Sequence, residues 1–145
     1  MIKIGNSVSN ISVYSYQPKD KEELKDIINK RISKEGPNCD LNDIDVSKIT
    51  DMSHLFYKSE FNGDISNWDV SNVKNMSCMF NSSNFNQDIS NWDVSKVKEM
   101  KWMFIYAEFN QDISNWKIRE DCDTNHMFNN SVIKEEYKPK SLQKK

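Results

Sequence analysis

DVSNVKNMSCMFNSSNFNQDISNW, at residues 69–92, decides the fold, because the chain repeats it on both sides without an insertion. DVSKITDMSHLFYKSEFNGDISNW precedes it at residues 45–68, and DVSKVKEMKWMFIYAEFNQDISNW follows it at residues 93–116. The second and third copies agree at 16 of 24 positions, and a degenerate fourth copy follows residue 116. A fixed period of this length predicts stacked repeats, each of which covers the apolar face of its neighbour.

Apolar residues recur in columns that are 24 residues apart. In the second copy the expected core residues are Val70, Val73, Met76, Met79, Phe80, Phe85, Ile89 and Trp92. Within this set, residues 76, 79 and 80 have the i, i+3, i+4 spacing of a short helical turn, with Ser71 as its expected N-cap. The DISNW segments are expected to be extended and to pair in parallel, about 4.8 Å apart. The sequence therefore predicts an α/β repeat solenoid of the leucine-rich-repeat type, with about four coils.

Both ends of the array differ from the repeats in composition. ISVYSY at residues 11–16 alternates as a short strand does, and Asp20 with Glu23 predicts the start of a helix that ends at Gly36. The expected core face of this helix is Leu24, Ile27, Ile28 and Ile32. We therefore expect an N-terminal cap of strand and helix at 1–37, a repeat solenoid at 38–132 and a basic, flexible tail at 133–145.

Composition excludes some classes of function. A net charge of −2 gives no electrostatic footprint for general nucleic-acid binding, and no stretch is long and apolar enough to span a membrane. Three cysteines in different columns argue against a disulfide framework and favour a reducing compartment. Because the opening residues do not resemble a signal peptide, we expect a cytoplasmic protein, or a cell-surface protein if the native start was trimmed.

The variable columns face away from the core and predict the binding site. Trp and Tyr are the residue types that dominate binding hot spots, and a cluster of them on a solvent-facing surface is unusual. The predicted partner-binding residues are Trp102, Tyr106, Ile105, Tyr57 and His54. In the alternative interpretation, the C-terminal tail or Tyr137 folds back over this patch.

Catalysis is not expected. His54, Cys78, Trp102 and His126 share one column, so His54 and Cys78 should lie roughly 5 Å apart, in adjacent repeats. A Cys–His pair can supply a nucleophile and its base, but no third orienting group or oxyanion donor accompanies it. Phosphate-binding loops and paired zinc motifs are also missing, so we expect no cofactor.

Stacked polar columns run beside the apolar ones. Asp64, Asp88 and Asp112 belong to a column in which like charges must be offset, and capping of backbone N–H groups at turns is the favoured explanation. One alternative is that the column binds a row of calcium ions. Another is that it forms an acidic stripe that imitates nucleic acid. The asparagines at 62, 86 and 110 are expected to bridge successive repeats.

The repeated sequence motif resembles that of a known family. WDVSNVKNMSCMF at residues 68–80, followed by FNQDISNW at 85–92, is similar to the BspA-like repeats of unknown function in bacterial surface proteins, notably Mycoplasma lipoproteins. The resemblance covers residues 40 to about 130 and also includes the preceding helix. It implies a leucine-rich-repeat-like solenoid with a role in adhesion or protein recognition, and it brings no catalytic residues.

These patterns together predict a non-catalytic module that binds a protein partner through an aromatic helical face. The alternative is a small intracellular inhibitor of an enzyme, such as an immunity or phage anti-defence protein, in one version a nucleic-acid mimic. Neither a small-molecule substrate nor direct nucleic-acid binding is expected. The sequence leaves the oligomeric state open.

Overall fold

Turns rather than helices and strands build most of the molecule. The computed structural model describes residues 14–144, and one α-helix, α1 (Lys21–Glu35), occurs in this range. Two short 3₁₀ helices follow near the end, at Glu135–Tyr137 and Lys140–Leu142. Over the same residues no β-strand or sheet forms, and strand-like pairing is limited to isolated bridges. The predicted α/β solenoid with parallel strands and helical turns is therefore wrong.

The 24-residue repeats nevertheless lie on top of one another in register. Phe80 stacks on Phe56 with 5.6 Å between ring centroids, and on Phe104 with 5.5 Å. Two further ladders have steps of 6.1 Å and of 6.3–6.4 Å, and they consist of Phe61, Phe85 and Phe109 and of Trp68, Trp92 and Trp116. All the apolar columns predicted from the sequence are buried in this stack.

Two left-handed residues in each repeat exclude the predicted helical turn. In the second repeat they are Cys78 and Ser82, both with φ of 57°, and the same two columns are left-handed in all four copies. A right-handed helix cannot continue through such residues. The predicted helix and its N-cap at Ser71 are therefore wrong, although the three apolar residues that suggested the helix are fully buried.

Backbone N–H groups in this turn region alternate between two kinds of hydrogen bond. The N–H of Asn81 donates to the carbonyl of Cys78 in its own repeat, at 3.2 Å. The N–H of the neighbouring Phe80 donates to the carbonyl of Met103 in the next repeat, at 3.0 Å. This alternation keeps the chain in turns while every repeat still bonds to the next one.

The DISNW segments form turns as well, which is why they do not pair as strands. Asp88 Oδ1 accepts the N–H of Ser90 at 2.8 Å, and the N–H of Trp92 donates to the carbonyl of Ile89 at 3.2 Å. The indole N–H of Trp92 makes the link between repeats instead, to the carbonyl of Ile65 at 3.1 Å. Parallel bridges occur elsewhere, in the column of Asp51, Asn75, Glu99 and Asp123.

The predicted asparagine bridges are confirmed. Asn62 Oδ1 accepts the N–H of Asn86 at 2.8 Å, and Asn86 Oδ1 accepts the N–H of Asn110 at the same distance. Asn110 Oδ1 in turn accepts the N–H of Lys134 at 2.9 Å. Each asparagine thus satisfies a backbone donor that lies 24 residues further along the chain.

Helix α1 is also confirmed. Asp20 Oδ1 caps its first turn by accepting the N–H of Glu23 at 2.9 Å, and Gly36 ends it with φ of 93°. Its apolar face is anchored by Leu24 and Ile28, which are fully buried in the core. In the predicted strand before it, residues 11–13 lie outside the described residues.

The segment predicted to be a flexible tail packs back onto the last repeats. Tyr137 and Leu142 lie against the core, and the carbonyl of Tyr137 accepts the N–H of Ile113 at 2.9 Å. Lys138 Nζ lies 5.3 Å from the centroid of the Phe128 ring. The segment therefore covers part of the end of the stack. The domain boundaries expected from the sequence stay predictions.

Candidate functional site

Five side chains form the aromatic face: Trp102, Tyr106, Ile105, Tyr57 and His54. Trp102 is 40 % exposed, Tyr106 61 % and Tyr57 43 %, so three large rings face solvent. His54 is exposed too, whereas Ile105 is half-buried. The described tail contacts Ile113 and Phe128 and leaves these rings exposed, so the alternative in which it folds over the patch is not what the structure shows.

Left-handed backbone positions present three of these side chains. His54, Trp102 and Tyr106 have φ of 61°, 59° and 55°. For a residue other than glycine this conformation costs about 1–2 kcal/mol. It persists because the N–H of Trp102 donates to Asn125 O at 3.1 Å and the N–H of Tyr106 donates to Asn129 O at 3.2 Å. The stacking of repeats therefore fixes the direction in which the aromatic side chains project.

The aromatic face has two ridges, separated by a repeat whose outward side chains are small. His54 and Tyr57 make one ridge, with an edge-to-face contact of 5.7 Å. Trp102 and its neighbours make the other, two repeat steps away. Between the ridges lie the small side chains of Cys78, Asn81 and Ser82, of which the first is buried and the others are half-buried. No ring contact among residues 14–144 joins the two ridges.

A lysine accompanies an aromatic ring on each ridge. Lys58 Nζ lies 5.2 Å from the centroid of the Tyr57 ring, and Lys101 Nζ lies 5.4 Å from the centroid of the Trp102 ring. A cation over an aromatic face is attracted by the ring quadrupole. Both lysines occupy outward-facing columns of the sequence, but they are not among the predicted partner-binding residues. Each ridge therefore has a cationic side chain beside its exposed ring.

The three cysteines are free thiols. Cys78 is buried and makes no hydrogen bond with His54 in the described part of the chain. Burial raises the pKa of the Cys122 thiol to about 11 and also raises the pKa of Cys39. Because the thiolate is the nucleophile, the latter two thiols are poor nucleophiles at neutral pH.

The aspartates cap turns, as predicted. Asp64 Oδ1 accepts both the N–H and the hydroxyl of Ser66, at 2.9 and 2.7 Å. Asp88 and Asp112 each accept the N–H of the serine two residues later, at 2.8 and 2.9 Å. Within residues 14–144, no group of three or more His, Cys, Asp or Glu side chains could hold a metal ion. Each of these carboxylates is used to satisfy a backbone donor at its own turn.

The capped carboxylates predict a loss of stability in acid. Hydrogen bonds from the backbone N–H and the hydroxyl of Ser66 lower the pKa of Asp64, and Ser95 lowers the pKa of Asp93 in the same way. Because these pKa values are lower in the folded state, the stabilisation is complete above an ordinary Asp pKa of about 4 and disappears as pH falls through the folded values. Denaturation in urea at a series of pH values measures this loss.

Asp64→Asn with Asp93→Asn serves as the test variant for the acid effect, because an amide can still accept a hydrogen bond but does not titrate. We expect the double variant to be less stable at neutral pH and to lose less stability on acidification. An acid-induced loss as steep as that of the unchanged protein would exclude these two groups as its source.

Comparison with known proteins gives one match. A family model described as "Mycoplasma protein of unknown function, DUF285" matches residues 23–139, which is most of the chain. No curated protein and no solved structure shows significant similarity. The Mycoplasma-associated repeat family expected from the sequence is thus confirmed, whereas the more specific assignment to BspA-like leucine-rich repeats is not. None of the helices described here is long and apolar enough to cross a membrane.

Proposed function

We propose that this chain, which belongs to the family described as Mycoplasma protein of unknown function, DUF285, is a non-catalytic module that binds a macromolecular partner through the aromatic face. The observation that carries the proposal is the exposure of Trp102, Tyr57 and Tyr106 on one surface of a chain whose other Trp and Phe side chains lie in or against the core. Exposed Trp and Tyr clusters mark binding sites more often than they mark ordinary surface.

The shape of the aromatic face favours a protein over a small molecule. Its residues span three repeats, and a row of small side chains separates the ridges, so the surface is broad and shallow. Small-molecule sites are concave and bury most of the ligand. The rings also project from a backbone that hydrogen bonds hold in place, which lowers the entropy lost on binding.

The lysines of the two ridges suggest the charge of the partner's binding surface. Lys58 and Lys101 lie against the exposed rings of Tyr57 and Trp102. A partner that brings carboxylates beside apolar side chains would satisfy both features. We therefore propose an acidic protein surface as the partner.

Two biological settings use the same site. Free thiols at Cys39, Cys78 and Cys122 suit a reducing compartment, which supports the proposal of a cytoplasmic protein that inhibits an enzyme. The resemblance of the repeated sequence to BspA-like surface repeats supports the alternative of an adhesion module at the cell surface. An enzyme in the first setting and a surface ligand in the second are the partners that would distinguish them.

The test variant is Trp102→Ala combined with Tyr106→Ala. Because both side chains are exposed, we expect the variant to keep its thermal stability and to lose the partner in a pull-down from lysate of the source organism, read by mass spectrometry. Tyr14→Ala is the matched control, since Tyr14 is 38 % exposed and lies outside the aromatic face.

The outcome for each variant has a direct meaning. A partner captured by the unchanged protein and by Tyr14→Ala, but not by the double variant, supports the proposal. A partner captured equally by all three proteins moves the site away from the aromatic face and contradicts the proposal.

A further inference from the structure

Every repeat except the last donates a row of backbone N–H groups to its successor. The first three rows comprise Met52, His54, Phe56 and Lys58; Met76, Cys78, Phe80 and Ser82; and Met100, Trp102, Phe104 and Tyr106, with N···O distances of 2.8–3.2 Å. The corresponding groups of the fourth repeat, which we call the terminal edge, are those of Thr124, His126, Phe128 and Asn130. In the part of the chain that the structure describes, none of these four N–H groups has an acceptor.

The terminal edge is preformed for a further repeat. His126 and Asn130 have φ of 57° and 55°, as do their counterparts in the earlier repeats. The single bridge between Glu99 and Asp123 also continues the column of bridges into this repeat. Its backbone therefore already has the conformation in which the other three rows bind their successors.

The edge offers backbone donors, and the backbone carbonyls of residues 124–129 are already used within the molecule. The carbonyls of Asn125, Met127 and Asn129 point the other way and accept N–H groups from the third repeat. Those of Thr124, His126 and Phe128 close turns within the fourth repeat. A ligand for this edge must therefore supply a row of acceptors, as the carbonyls of a backbone do.

We propose that the terminal edge docks another 24-residue repeat of the same kind, presented by a partner chain. The interface is the one that joins repeats one to two, two to three and three to four within this chain, so no new geometry is required. Backbone addition to an unpaired edge is an established mode of recognition, in which main-chain hydrogen bonds supply affinity. The proposal is independent of the aromatic face.

A second copy of the chain does not fit this edge. The middle of the acceptor row of its first repeat is covered, because Ser53 and Leu55 are 8 % and 4 % exposed and Lys21 Nζ of α1 donates to Ser53 Oγ at 2.9 Å. Contact between two terminal edges would place donors against donors. The partner must therefore carry a first repeat whose carbonyls are open.

Lys138 competes with the docked repeat. Its Nζ lies 5.3 Å from the Phe128 ring centroid, on the ring that ends the phenylalanine ladder, and it also pairs with Glu135 Oε1 at 3.0 Å. A docked repeat would place its own phenylalanine on Phe128, as Phe128 itself lies on Phe104. The tail must therefore shift when the edge is occupied.

The experiment titrates the full chain with a labelled synthetic peptide of residues 93–116, which carries the acceptor carbonyls of the third repeat, and reads fluorescence anisotropy. Thr124→Pro removes one edge N–H that bonds to nothing in the described chain, and we expect about five-fold weaker binding. Lys138→Ala removes the competing contact, and we expect tighter binding. A peptide with the same residues in scrambled order is the control.

Amide hydrogen exchange gives a second measurement that needs no variant. We expect the four edge amides to exchange faster than their counterparts in the third repeat, and to slow when the peptide binds. The proposal is overturned if the peptide does not bind at millimolar concentration, or if it binds without protecting these amides. Self-association of the chain that Thr124→Pro abolishes would assign the edge to a second copy and overturn the choice of partner.

Discussion

Phe80→Ala will lower the free energy of unfolding by about 3–5 kcal/mol, the range measured for fully buried phenylalanines. Phe80 is 0 % exposed and stacks on Phe56, Phe104 and Phe85, with centroids 5.6, 5.5 and 4.6 Å away. Removing the ring leaves a cavity in the middle of the ladder. The left-handed turns around it are fixed by hydrogen bonds to both neighbouring repeats and cannot easily close the cavity.

Phe128→Ala is the matched control, because it truncates the same column at its end. Phe128 is half-buried and stacks on one ring, that of Phe104. We expect a loss of less than half that of Phe80→Ala when both variants are unfolded in urea. Equal losses would mean that the ladder does not carry the stability of the stack.

Gly63→Gln will also destabilise the fold, by more than about 2 kcal/mol. The repeat pattern alone gives the opposite expectation, because Gln87 and Gln111 occupy this column in the next two copies. Gln87 Nε2 donates to Asn62 Oδ1 at 3.2 Å. At position 63, however, a Cβ atom would lie 1.8 Å from the carbonyl oxygen of Cys39, which is backbone and cannot move aside cheaply.

Gly36→Ala separates this clash from the general cost of replacing a glycine. A Cβ at Gly36 meets no atom within 4 Å, and the cost there comes from its φ of 93° and ψ of 170° alone, a nearly glycine-only region that costs about 1–3 kcal/mol. Because a backbone clash adds to the cost at Gly63, chemical denaturation should show Gly63→Gln to be less stable than Gly36→Ala. If Gly63→Gln were instead as stable as the unchanged protein, the packing of residues 37–39 against the first repeat would be wrong.

The sequence predicts the period and the core of this molecule well. When repeats stack in register, a side chain that recurs every 24 residues lies against the same residue type in the next repeat. The phenylalanine and tryptophan ladders therefore follow from the repeat itself. The asparagine bridges, the aspartate caps and α1 follow from local rules of hydrogen bonding. Each of these features depends on residues that are close in the sequence or that share one column of the repeat, so the sequence reveals it.

The conformation within each repeat could not be predicted in the same way. Helical spacing at Met76, Met79 and Phe80 suggested a helix, but Cys78 adopts the left-handed region instead. Glycine or asparagine usually signals that region, and here the column contains His, Cys and Trp. The turns are stabilised by bonds between repeats, which no local pattern reveals.

The same feature limits prediction of the candidate site. The sequence identified the exposed rings of the aromatic face, because they occupy variable columns beside buried ones. It did not indicate that left-handed residues present Trp102 and Tyr106, nor that Lys101 lies against Trp102. The donor row of the terminal edge is equally invisible in the sequence, since it consists of backbone groups.

The most direct test of the proposed function is the dissociation constant for the captured partner, measured by calorimetry with the purified proteins. Loss of two hot-spot rings should weaken binding by at least about 100-fold in the Trp102→Ala/Tyr106→Ala variant, whereas Tyr14→Ala should leave the constant within about two-fold. Such a result would establish the aromatic face as the binding site. Equal dissociation constants for all three proteins would contradict the proposal that this face binds the partner.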